Sequence, residues 1–276
     1  MTMTTPKKLG FFTRLLDRAG AAERYRLATE QIVEAERSGY DSAWIAQHHF
    51  HEDEGGLPSP FVFLAHVAAK TTRIRLGTGV VTLPLENPVR VAEDAVVLDL
   101  LSGGRLEFGV GSGSTPNTYL AFGETSAGRG PAMGRNLAIV RDAWAGRALG
   151  SPDNVLYPSA GGLDDRVWQA TFSVEGGSRA GEAGDGLMLS RTQPRPAGSP
   201  QVSLAEIQNP IIDAYLTALP AGRAPRIMGS RTLFVAERRA DALRLAEPGL
   251  RRSVVHFAAT GFSAARRFAR RHHGDL

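Results

Sequence analysis

The stretch that decides the fold is Asp41-Ser42-Ala43-Trp44-Ile45-Ala46-Gln47-His48-His49-Phe50, a short apolar run that ends in two adjacent histidines. Such a run is typical of a buried strand, and side chains alternate across a strand, so the two imidazoles should point in different directions. In a parallel barrel, the residues at the carboxyl end of a strand lie where such barrels place their chemistry. One histidine is therefore a candidate for the mouth of a pocket, with a metal site or two surface histidines as the alternatives.

Strand and helix patterns alternate along the whole chain. Strands are predicted over 8–13, 41–46, 73–83, 105–110, 167–174, 185–190 and 231–236. Helices are predicted over 21–38, 61–70, 88–100, 132–147, 205–219 and from 239 onward. Seven strand–helix units in one run indicate an α/β fold and favour a (β/α)8 TIM-type barrel. The apolar candidate for an eighth strand is Ser253–Ala258, so either this segment closes the barrel or the barrel is incomplete at its C-terminus.

The composition is that of an ordinary globular protein. The chain has 276 residues, 42% of them hydrophobic and 22% charged, which is enough for one barrel domain over residues 1–276. No apolar run approaches the length of a membrane span, and residues 1–10 lack the apolar core of a secretory signal. Cysteine is absent, which removes disulfides, thiolate metal sites and cysteine nucleophiles. We therefore expect a cytoplasmic protein without a membrane partner.

The net charge of +4 belongs to the C-terminal tail. Residues 250–276 hold six arginines and one aspartate, whereas the other 249 residues carry 26 basic and 27 acidic side chains. A basic tail of this kind is more typical of a solvated helix face or a chain end than of a nucleic-acid surface. We therefore expect no nucleic-acid partner.

Three glycine-containing stretches suggest that another group approaches the backbone closely. Gly77-Thr78-Gly79-Val80 has two glycines inside a strand, which indicates a bulge or a flat ligand against that strand. Gly109–Thr115 offers glycines and hydroxyls but does not fit the dinucleotide fingerprint. Glu175-Gly176-Gly177-Ser178-Arg179 follows a predicted strand, and it suits either an anion seat at a helix start or an ordinary tight turn.

Metal and hydrolase chemistry have little support in the sequence. His48, His49 and His51 lie near three acidic residues, but no helical HExxH pattern or second well-spaced pair of ligands accompanies them. The chain also lacks the G-x-S-x-G elbow of many serine hydrolases. We therefore predict no metal site.

Taken together, these motifs resemble the bacterial luciferase-like, flavin-dependent monooxygenases from about Leu9 to Leu250. The stretches that carry the resemblance, in the family's order, are Gln47-His48-His49-Phe50, Gly77-Thr78-Gly79-Val80 with Leu83-Pro84, Asn87-Pro88-Val89-Arg90 with Glu93-Asp94, Gly103-Gly104-Arg105-Leu106, and Glu175 before its glycines. The resemblance implies a (β/α)8 barrel that binds reduced FMN supplied by a separate flavin reductase. It further implies that a flavin hydroperoxide formed with O2 oxygenates a small organic substrate, in an enzyme that is a homodimer.

The resemblance also implies roles for individual residues. His48 falls at the family's catalytic histidine, which holds or moves a proton near the flavin, and a non-prolyl cis peptide is implied between Gly79 and Val80. The residues implied at the cofactor and its phosphate are Gln47, Gly79, Val80, Ser112, Glu175, Gly176, Gly177, Arg179 and, as the arginine before the fourth helix, Arg129 or Arg135.

The chain departs from the family pattern in three places. Ser112 replaces a phosphate-binding arginine, and Gly111 stands at the reactive cysteine of true luciferases, so light emission is not expected. The chain stops where relatives carry their last strand and helix, and the basic tail from about 264 shows no family likeness. Two alternatives therefore stay open: a non-catalytic flavin-binding protein, and a deazaflavin-dependent oxidoreductase of the same fold.

Overall fold

The computed structural model describes residues 7–196, 198–199 and 201–259. The chain divides into two compact units, residues 1–170 and residues 171–276. In each unit, parallel strands alternate with helices along the sequence. The single barrel domain over 1–276 remains a prediction.

The first unit is a parallel sheet with helices between its strands. Its described strands are β1 (Gly10–Thr13), β2 (Ser42–Ile45), β3 (Arg75–Thr78), β4 (Val81–Thr82), β5 (Leu106–Gly111) and β6 (Val167–Ala170). Its described helices are α1 (Ala21–Arg37), α2 (Pro60–Ala68), α3 (Pro88–Leu101), α4 (Pro116–Ala121) and α5 (Arg129–Trp144). The strand order is β1–β2–β3–β5–β6, and β4 pairs with β5.

The hydrophobic core of this unit combines one face of the strands with the inner faces of the helices. Ile45, Leu76 and Phe108 contribute from the strands, and Leu64 and Val96 contribute from α2 and α3. Four of these side chains are 0% exposed and Val96 is 1% exposed, and full burial of such a side chain stabilises a fold by about 1.5–3 kcal/mol. The core therefore fixes the strands whose carboxyl ends carry the predicted site.

Helix α3 begins and ends where its sequence signals place it. The Asn87 side chain accepts hydrogen bonds from the backbone N–H groups of Val89 and Arg90 at 3.0 and 3.2 Å, which caps the helix start. Gly103 and Gly104 follow the helix with φ of +66° and +79°, a backbone conformation that favours glycine. The signals in this segment thus act through local hydrogen bonds and backbone freedom.

The indole of Trp44 lies over Gly77 on the neighbouring strand. The two residues are register partners, and a Cβ atom at position 77 would lie 2.1 Å from Trp44 Cε3. Gly79 is restricted in the same way, because a Cβ atom there would lie 3.3 Å from Phe12 Cε2. The side chains of Trp44 and Phe12 therefore restrict these two positions, and the predicted contact of Gly79 with a cofactor remains a prediction.

The predicted strand over 73–83 is not continuous. β3 ends at Thr78, the Gly79–Val80 peptide bond is cis, and the chain resumes as β4 at Val81. The cis peptide implied by the family resemblance is therefore present at the expected bond. The helix predicted over 132–147 spans Arg129–Trp144.

The second unit has two parallel strands and three helices within its described residues. The strands are β7 (Gly186–Leu189) and β8 (Ile227–Gly229), and the helices are α6 (Val174–Glu182), α7 (Leu204–Ala218) and α8 (Arg239–Ala259). Gly177 and Gly181 allow α6 to approach α7, because Cβ atoms at these positions would lie 2.5 Å from the Ile211 carbonyl oxygen and 2.4 Å from that of Tyr215. These two glycines are thus required by helix packing.

Three strand predictions at the C-terminal side are wrong. The strand predicted over 167–174 ends at Ala170, because Val174 already begins α6. The strand predicted over 231–236 lies beyond β8, and Leu233 and Val235 are 80% and 77% exposed, so this apolar pattern does not reflect burial.

The candidate eighth strand, Ser253–Ala258, is helical and lies inside α8. An ion pair of 2.6 Å between Glu247 and Arg251, four residues apart, stabilises the part of α8 directly before this segment. The predicted basic tail lies, from residue 260 onward, outside the described residues.

Replacing Gly77 with alanine should destabilise the protein, because the added methyl group overlaps the Trp44 indole. Overpacking of this kind costs about 1–3 kcal/mol. Gly134→Ala is the matched control: a Cβ atom there meets nothing within 4 Å, and alanine is favoured over glycine inside helix α5. Urea unfolding measures both, and an unfolding midpoint for Gly77→Ala at or above that of the wild type would contradict the packing argument.

Candidate functional site

The two histidines after β2 contact different groups, as the alternation of side chains predicts. His48 Nδ1 lies 3.8 Å from Glu54 Oε2, whereas His49 Nε2 lies 3.1 Å from Gln47 Nε2. Both histidines follow the carboxyl end of a parallel strand, the edge where barrel folds carry their chemistry. The first unit therefore places His48 where the sequence predicted a pocket residue.

Gln47 fastens the end of β2 to the segment that follows β3. Its side-chain oxygen accepts a hydrogen bond from the Thr82 N–H at 2.7 Å, and its side-chain nitrogen donates to Glu86 Oε1 at 2.6 Å and to the Pro58 carbonyl at 3.2 Å. Gln47 is only 6% exposed. These contacts give Gln47 a structural function, and its predicted contact with a cofactor remains a prediction.

His49 is held in an environment that favours the neutral imidazole. Burial lowers the pKa of His49 from its ordinary value of 6.5, and the Glu86 carboxylate offsets part of this effect. In the neutral ring, an unprotonated Nε2 can accept a hydrogen bond from the Gln47 side-chain N–H. In the protonated ring, Nε2 carries a proton itself, so two donors would face each other. Phe122 packs on the ring edge-on, with centroids 5.0 Å apart. His49 therefore acts through packing and hydrogen bonding.

His48 is half-buried against the loop that follows it. Its backbone N–H donates to the Leu57 carbonyl at 3.0 Å, and its side chain is 22% exposed. Gly55 lies against the ring: a Cβ atom at position 55 would lie 2.8 Å from His48 Cδ2, and the φ of Gly55 is +151°. The loop therefore needs glycine at this position to leave room for the imidazole.

Val80 and Gly111 lie side by side at the carboxyl ends of β3 and β5. A Cβ atom at Gly111 would lie 2.8 Å from Val80 Cγ2, so a larger residue at 111 would displace the cis peptide segment. Ser112 follows directly, and its carbonyl oxygen accepts a hydrogen bond from the Tyr119 hydroxyl. Burial raises the pKa of Tyr119, which keeps this phenol protonated as a donor.

Arg129 and Arg135, the two predicted arginines of the first unit, lie on the first two turns of α5. Both side chains are exposed, and Arg129 Nη1 donates to the Ser126 carbonyl at 3.0 Å. Asn136 anchors the same part of α5, because its side-chain nitrogen donates to the Leu83 carbonyl at 3.0 Å. The arginines are thus accessible cations on an anchored helix, and their role at a phosphate remains a prediction.

The second unit carries the predicted anion seat at the start of α6. The helix begins at Val174, so Gly176 and Gly177 lie in its first turns rather than before it. The Ser173 hydroxyl accepts a hydrogen bond from the Gly176 N–H at 3.1 Å, and the Ser173 carbonyl accepts one from Gly177 at 3.1 Å. The backbone N–H groups of Gly176 and Gly177, which the sequence suggested as anion-binding groups, are therefore hydrogen-bonded to Ser173.

Glu175 and Arg179 differ in how they take part in this helix start. Hydrogen bonds from its own N–H and from Ser173 lower the pKa of Glu175, so the carboxylate is held at the helix N-terminus. Gly176 packs against Thr171, since a Cβ atom there would lie 1.9 Å from Thr171 Oγ1. Arg179 is exposed in the second turn.

Among the predicted cofactor residues, the exposed side chains offer more phosphate donors than the backbone amides of α6 do. Arg129, Arg135 and Arg179 are exposed guanidinium groups, which bind phosphate by charge-assisted, forked hydrogen bonds. Ser112 and Ser178 add hydroxyl groups after β5 and within α6. The Gly176 amide is already paired with the Ser173 hydroxyl, and the function of Gly176 and Gly177 at a phosphate remains a prediction.

A polar cluster that the sequence did not predict lies after β7 and β8. Gln208 Nε2 donates to the Ser190 carbonyl at 3.1 Å, and Arg231 donates to Gln208 Oε1 at 3.0 Å. Burial lowers the pKa of Arg191. Gln193 is 2% exposed, and its side-chain oxygen has no hydrogen-bond partner among the residues that the structure describes. The available signal was the polar run 190–193 directly after an apolar strand.

The described residues contain neither a metal-binding cluster nor a membrane-spanning helix. Within residues 7–196, 198–199 and 201–259, no group of three or more His, Cys, Asp or Glu side chains is placed to hold a metal ion. In the same residues, none of the helices combines the length and the apolar character that crossing a membrane requires.

Comparisons with known proteins agree with this picture. The profile of the family described as luciferase-like monooxygenase matches residues 9–275, so the match includes the tail from about 264 in which the sequence motifs showed no family likeness. Limonene 1,2-monooxygenase from Rhodococcus erythropolis is 31% identical over 176 residues, which cover 60% of this chain and 44% of that protein. The matches cover less than half the length of the curated relatives.

Two solved structures share the fold at low sequence identity. The oxygenating constituent of 3,6-diketocamphane monooxygenase from the CAM plasmid of Pseudomonas putida, in complex with FMN, superimposes with a TM-score of 0.77 at 20% identity, covering 92% of this chain and 76% of that one. The coenzyme F420-dependent tetrahydromethanopterin reductase from Methanopyrus kandleri gives 0.68 at 19%, covering 90% and 72%. The predicted α/β, TIM-type fold class is therefore confirmed.

His49→Gln should make the stability of the protein less sensitive to acid. Because the folded state lowers the pKa of His49, the unfolded chain binds more protons below about pH 6.5, and the free energy of unfolding falls as the pH decreases. Urea unfolding between about pH 5 and pH 7 should show a shallower slope for His49→Gln than for the wild type. His51→Gln, at an exposed position, is the control, and equal slopes in all three proteins would contradict the assignment.

Ser173→Ala should lower the free energy of unfolding by about 1 kcal/mol, the usual value of a helix N-cap. The substitution removes the acceptor for the Gly176 N–H while it leaves the backbone bond to Gly177 in place. Ser178→Ala, in the second turn of the same helix, is the matched control. Thermal unfolding followed by circular dichroism measures both variants, and a Ser173→Ala protein as stable as Ser178→Ala would refute the capping function.

Proposed function

Because the chain belongs to the luciferase-like monooxygenase family, we propose that it is a flavin-dependent monooxygenase that oxygenates a small organic substrate with reduced FMN and O2. Reduced FMN supplies two electrons to the reaction. One atom of O2 enters the substrate, and the other leaves as water with two protons. The FMN complex of the diketocamphane monooxygenase constituent, which shares the fold, supports FMN as the cofactor.

The observation that carries the proposal is the environment of His48. The residue follows the carboxyl end of β2, is only 22% exposed, and lies beside a carboxylate. Histidine is the side chain that most often takes up or gives up a proton in enzyme catalysis, and oxygen transfer requires such a group when the second oxygen atom leaves as water. In this proposal His48 is the catalytic residue that holds this proton.

The remaining predicted residues bind and orient the cofactor in this proposal. Gly79 and Val80 present the cis peptide segment to the ring system, and Gln47 fixes the ends of the strands beneath it. The predicted phosphate-binding residues are Ser112, Arg129, Arg135, Glu175, Gly176, Gly177 and Arg179, with the exposed guanidinium groups as the principal donors.

The proposal includes the partners that the family resemblance implies. A separate flavin reductase supplies reduced FMN, as the family resemblance implies, and the enzyme works as a homodimer in the cytoplasm.

A deazaflavin-dependent oxidoreductase is the second candidate function. It is favoured by one observation, the fold shared with the F420-dependent reductase from Methanopyrus kandleri. Titration of the protein with FMN and with F420, followed by fluorescence, distinguishes the two. Binding of FMN in the low micromolar range without binding of F420 supports the monooxygenase, and the reverse supports the second candidate.

His48→Ala should reduce oxygen activation while it leaves flavin binding intact, because the imidazole handles a proton rather than the phosphate. The protein is mixed anaerobically with reduced FMN, O2 is admitted, and the flavin absorbance is followed. The wild type should accelerate the reoxidation of flavin relative to free flavin. His48→Ala should slow this protein-dependent reoxidation by about tenfold or more, toward the rate of free flavin. His51→Ala, at an exposed position, is the control.

Two outcomes would contradict the proposal. A His48→Ala protein that reoxidises bound flavin like the wild type would remove the function assigned to His48. A wild-type protein that binds FMN but leaves the reoxidation rate equal to that of free flavin would favour a non-catalytic flavin-binding protein.

A further inference from the structure

The carboxylate of Glu54 lies beside the Nδ1 atom of His48. The separation from Glu54 Oε2 is 3.8 Å, and the two side chains are 16% and 22% exposed. This distance exceeds that of a hydrogen bond, so the interaction in the described geometry is electrostatic. Between groups that are this well shielded, a carboxylate favours the protonated imidazole and the ring orientation that brings Nδ1 toward it.

Two neighbouring segments hold Glu54 in this position. Thr115, in the loop after β5, donates its hydroxyl to the same Oε2 atom at 3.0 Å. Arg14, directly after β1, donates through Nη2 to the Glu54 carbonyl oxygen. The carboxylate is therefore fixed from two strand ends rather than carried on a free loop.

The residue after Glu54 fixes the other side of the geometry. A Cβ atom at Gly55 would lie 2.8 Å from His48 Cδ2 and 2.9 Å from the Arg14 carbonyl oxygen. The backbone at Gly55 thus lies against the Cδ2 edge of the His48 imidazole, while the Glu54 carboxylate faces its Nδ1 atom. The ring is bounded on both sides by consecutive residues.

From these contacts we infer that Glu54 is a positioning residue for His48: it holds the Nδ1 edge of the imidazole, so that Nε2 is the atom that exchanges a proton in the reaction. A carboxylate that orients a histidine is the general arrangement by which an imidazole is kept in one tautomer. The catalytic consequence rests on the proposed function, whereas the effect on the protonation of His48 does not.

Other charges near this pair define what the substitution changes. Arg14 donates to the Glu54 carbonyl oxygen, and Glu86 and His49 contact the side-chain nitrogen of Gln47. These groups remain in place when only the Glu54 carboxylate is neutralised. A change in the protonation of His48 in Glu54→Gln would therefore report the loss of the Glu54 charge.

The first experiment measures the pKa of His48 in the full chain by NMR of the labelled imidazole. Glu54→Gln keeps the size of the side chain and an acceptor for Thr115 but removes the charge, so the pKa of His48 should fall by about one unit. Glu54→Asp keeps the charge and should retain most of the wild-type value. Glu52→Gln is the matched control in the same loop: its side chain is exposed, and Arg24 contacts only its carbonyl oxygen, so no shift is expected.

The second experiment measures flavin binding and flavin reoxidation in the same variants. Glu54→Gln should leave FMN affinity within about twofold of the wild type and should slow the protein-dependent reoxidation about tenfold. Thr115→Val, which removes the hydrogen bond to Glu54, should change both the pKa of His48 and the rate in the same direction by less.

The two experiments separate this inference from the proposed function. An unchanged pKa of His48 in Glu54→Gln overturns the inference, whatever the enzyme does. A lowered pKa with an unchanged reoxidation rate overturns the catalytic part of the inference, and an equally active His48→Ala protein would show that the proposed function fails with it. A lowered pKa with a slowed rate, in a protein that still binds FMN, supports both.

Discussion

The side-chain amide of Gln47 is the interaction on which the site in the first unit depends. The third strand is interrupted at the Gly79–Val80 cis peptide, and Gln47 bridges this interruption by accepting the N–H of Thr82, which lies beyond it. Because the amide is 6% exposed, a lost bond would leave buried polar groups unpaired at a cost of about 1–3 kcal/mol each. His48 directly follows Gln47 in the chain, so the hydrogen bonds of the Gln47 side chain also fix the position of the His48 backbone.

Because of this arrangement, the two adjacent histidines have different environments. His49 shares the Gln47 network, and its lowered pKa keeps it neutral, as a partner of an amide N–H must be. His48 turns away from that network toward Glu54, a charged neighbour. A dipeptide of identical side chains thus provides one structural and one candidate reactive imidazole, and the surroundings of each ring decide which is which.

The sequence predicts the first unit better than the second for a physical reason. In the first unit the signals are local or periodic: the Asn87 cap and the apolar β2 segment act where they stand. The function of Gly77 depends on Trp44, which is distant in the chain, so the sequence identified the glycine but not its cause. Apolar and β-branched residues suggested strands at 231–236 and at 253–258. The first segment is exposed and the second lies in helix α8, so composition alone does not determine which segments pair in a sheet.

The candidate site shows the same limit. The position of His48 follows from strand alternation, whereas Glu54 lies in a loop whose acidic residues are indistinguishable by sequence, and only the fold selects the one that faces the ring. At the start of α6, the glycines predicted to present amides to an anion take part in helix packing and in the Ser173 cap, which the sequence did not predict. Phosphate binding in the proposed enzyme therefore depends on exposed guanidinium groups. Salt screens such contacts, whereas the Ser173 cap is a short-range hydrogen bond, so cofactor affinity and the stability of α6 are separable properties of this chain.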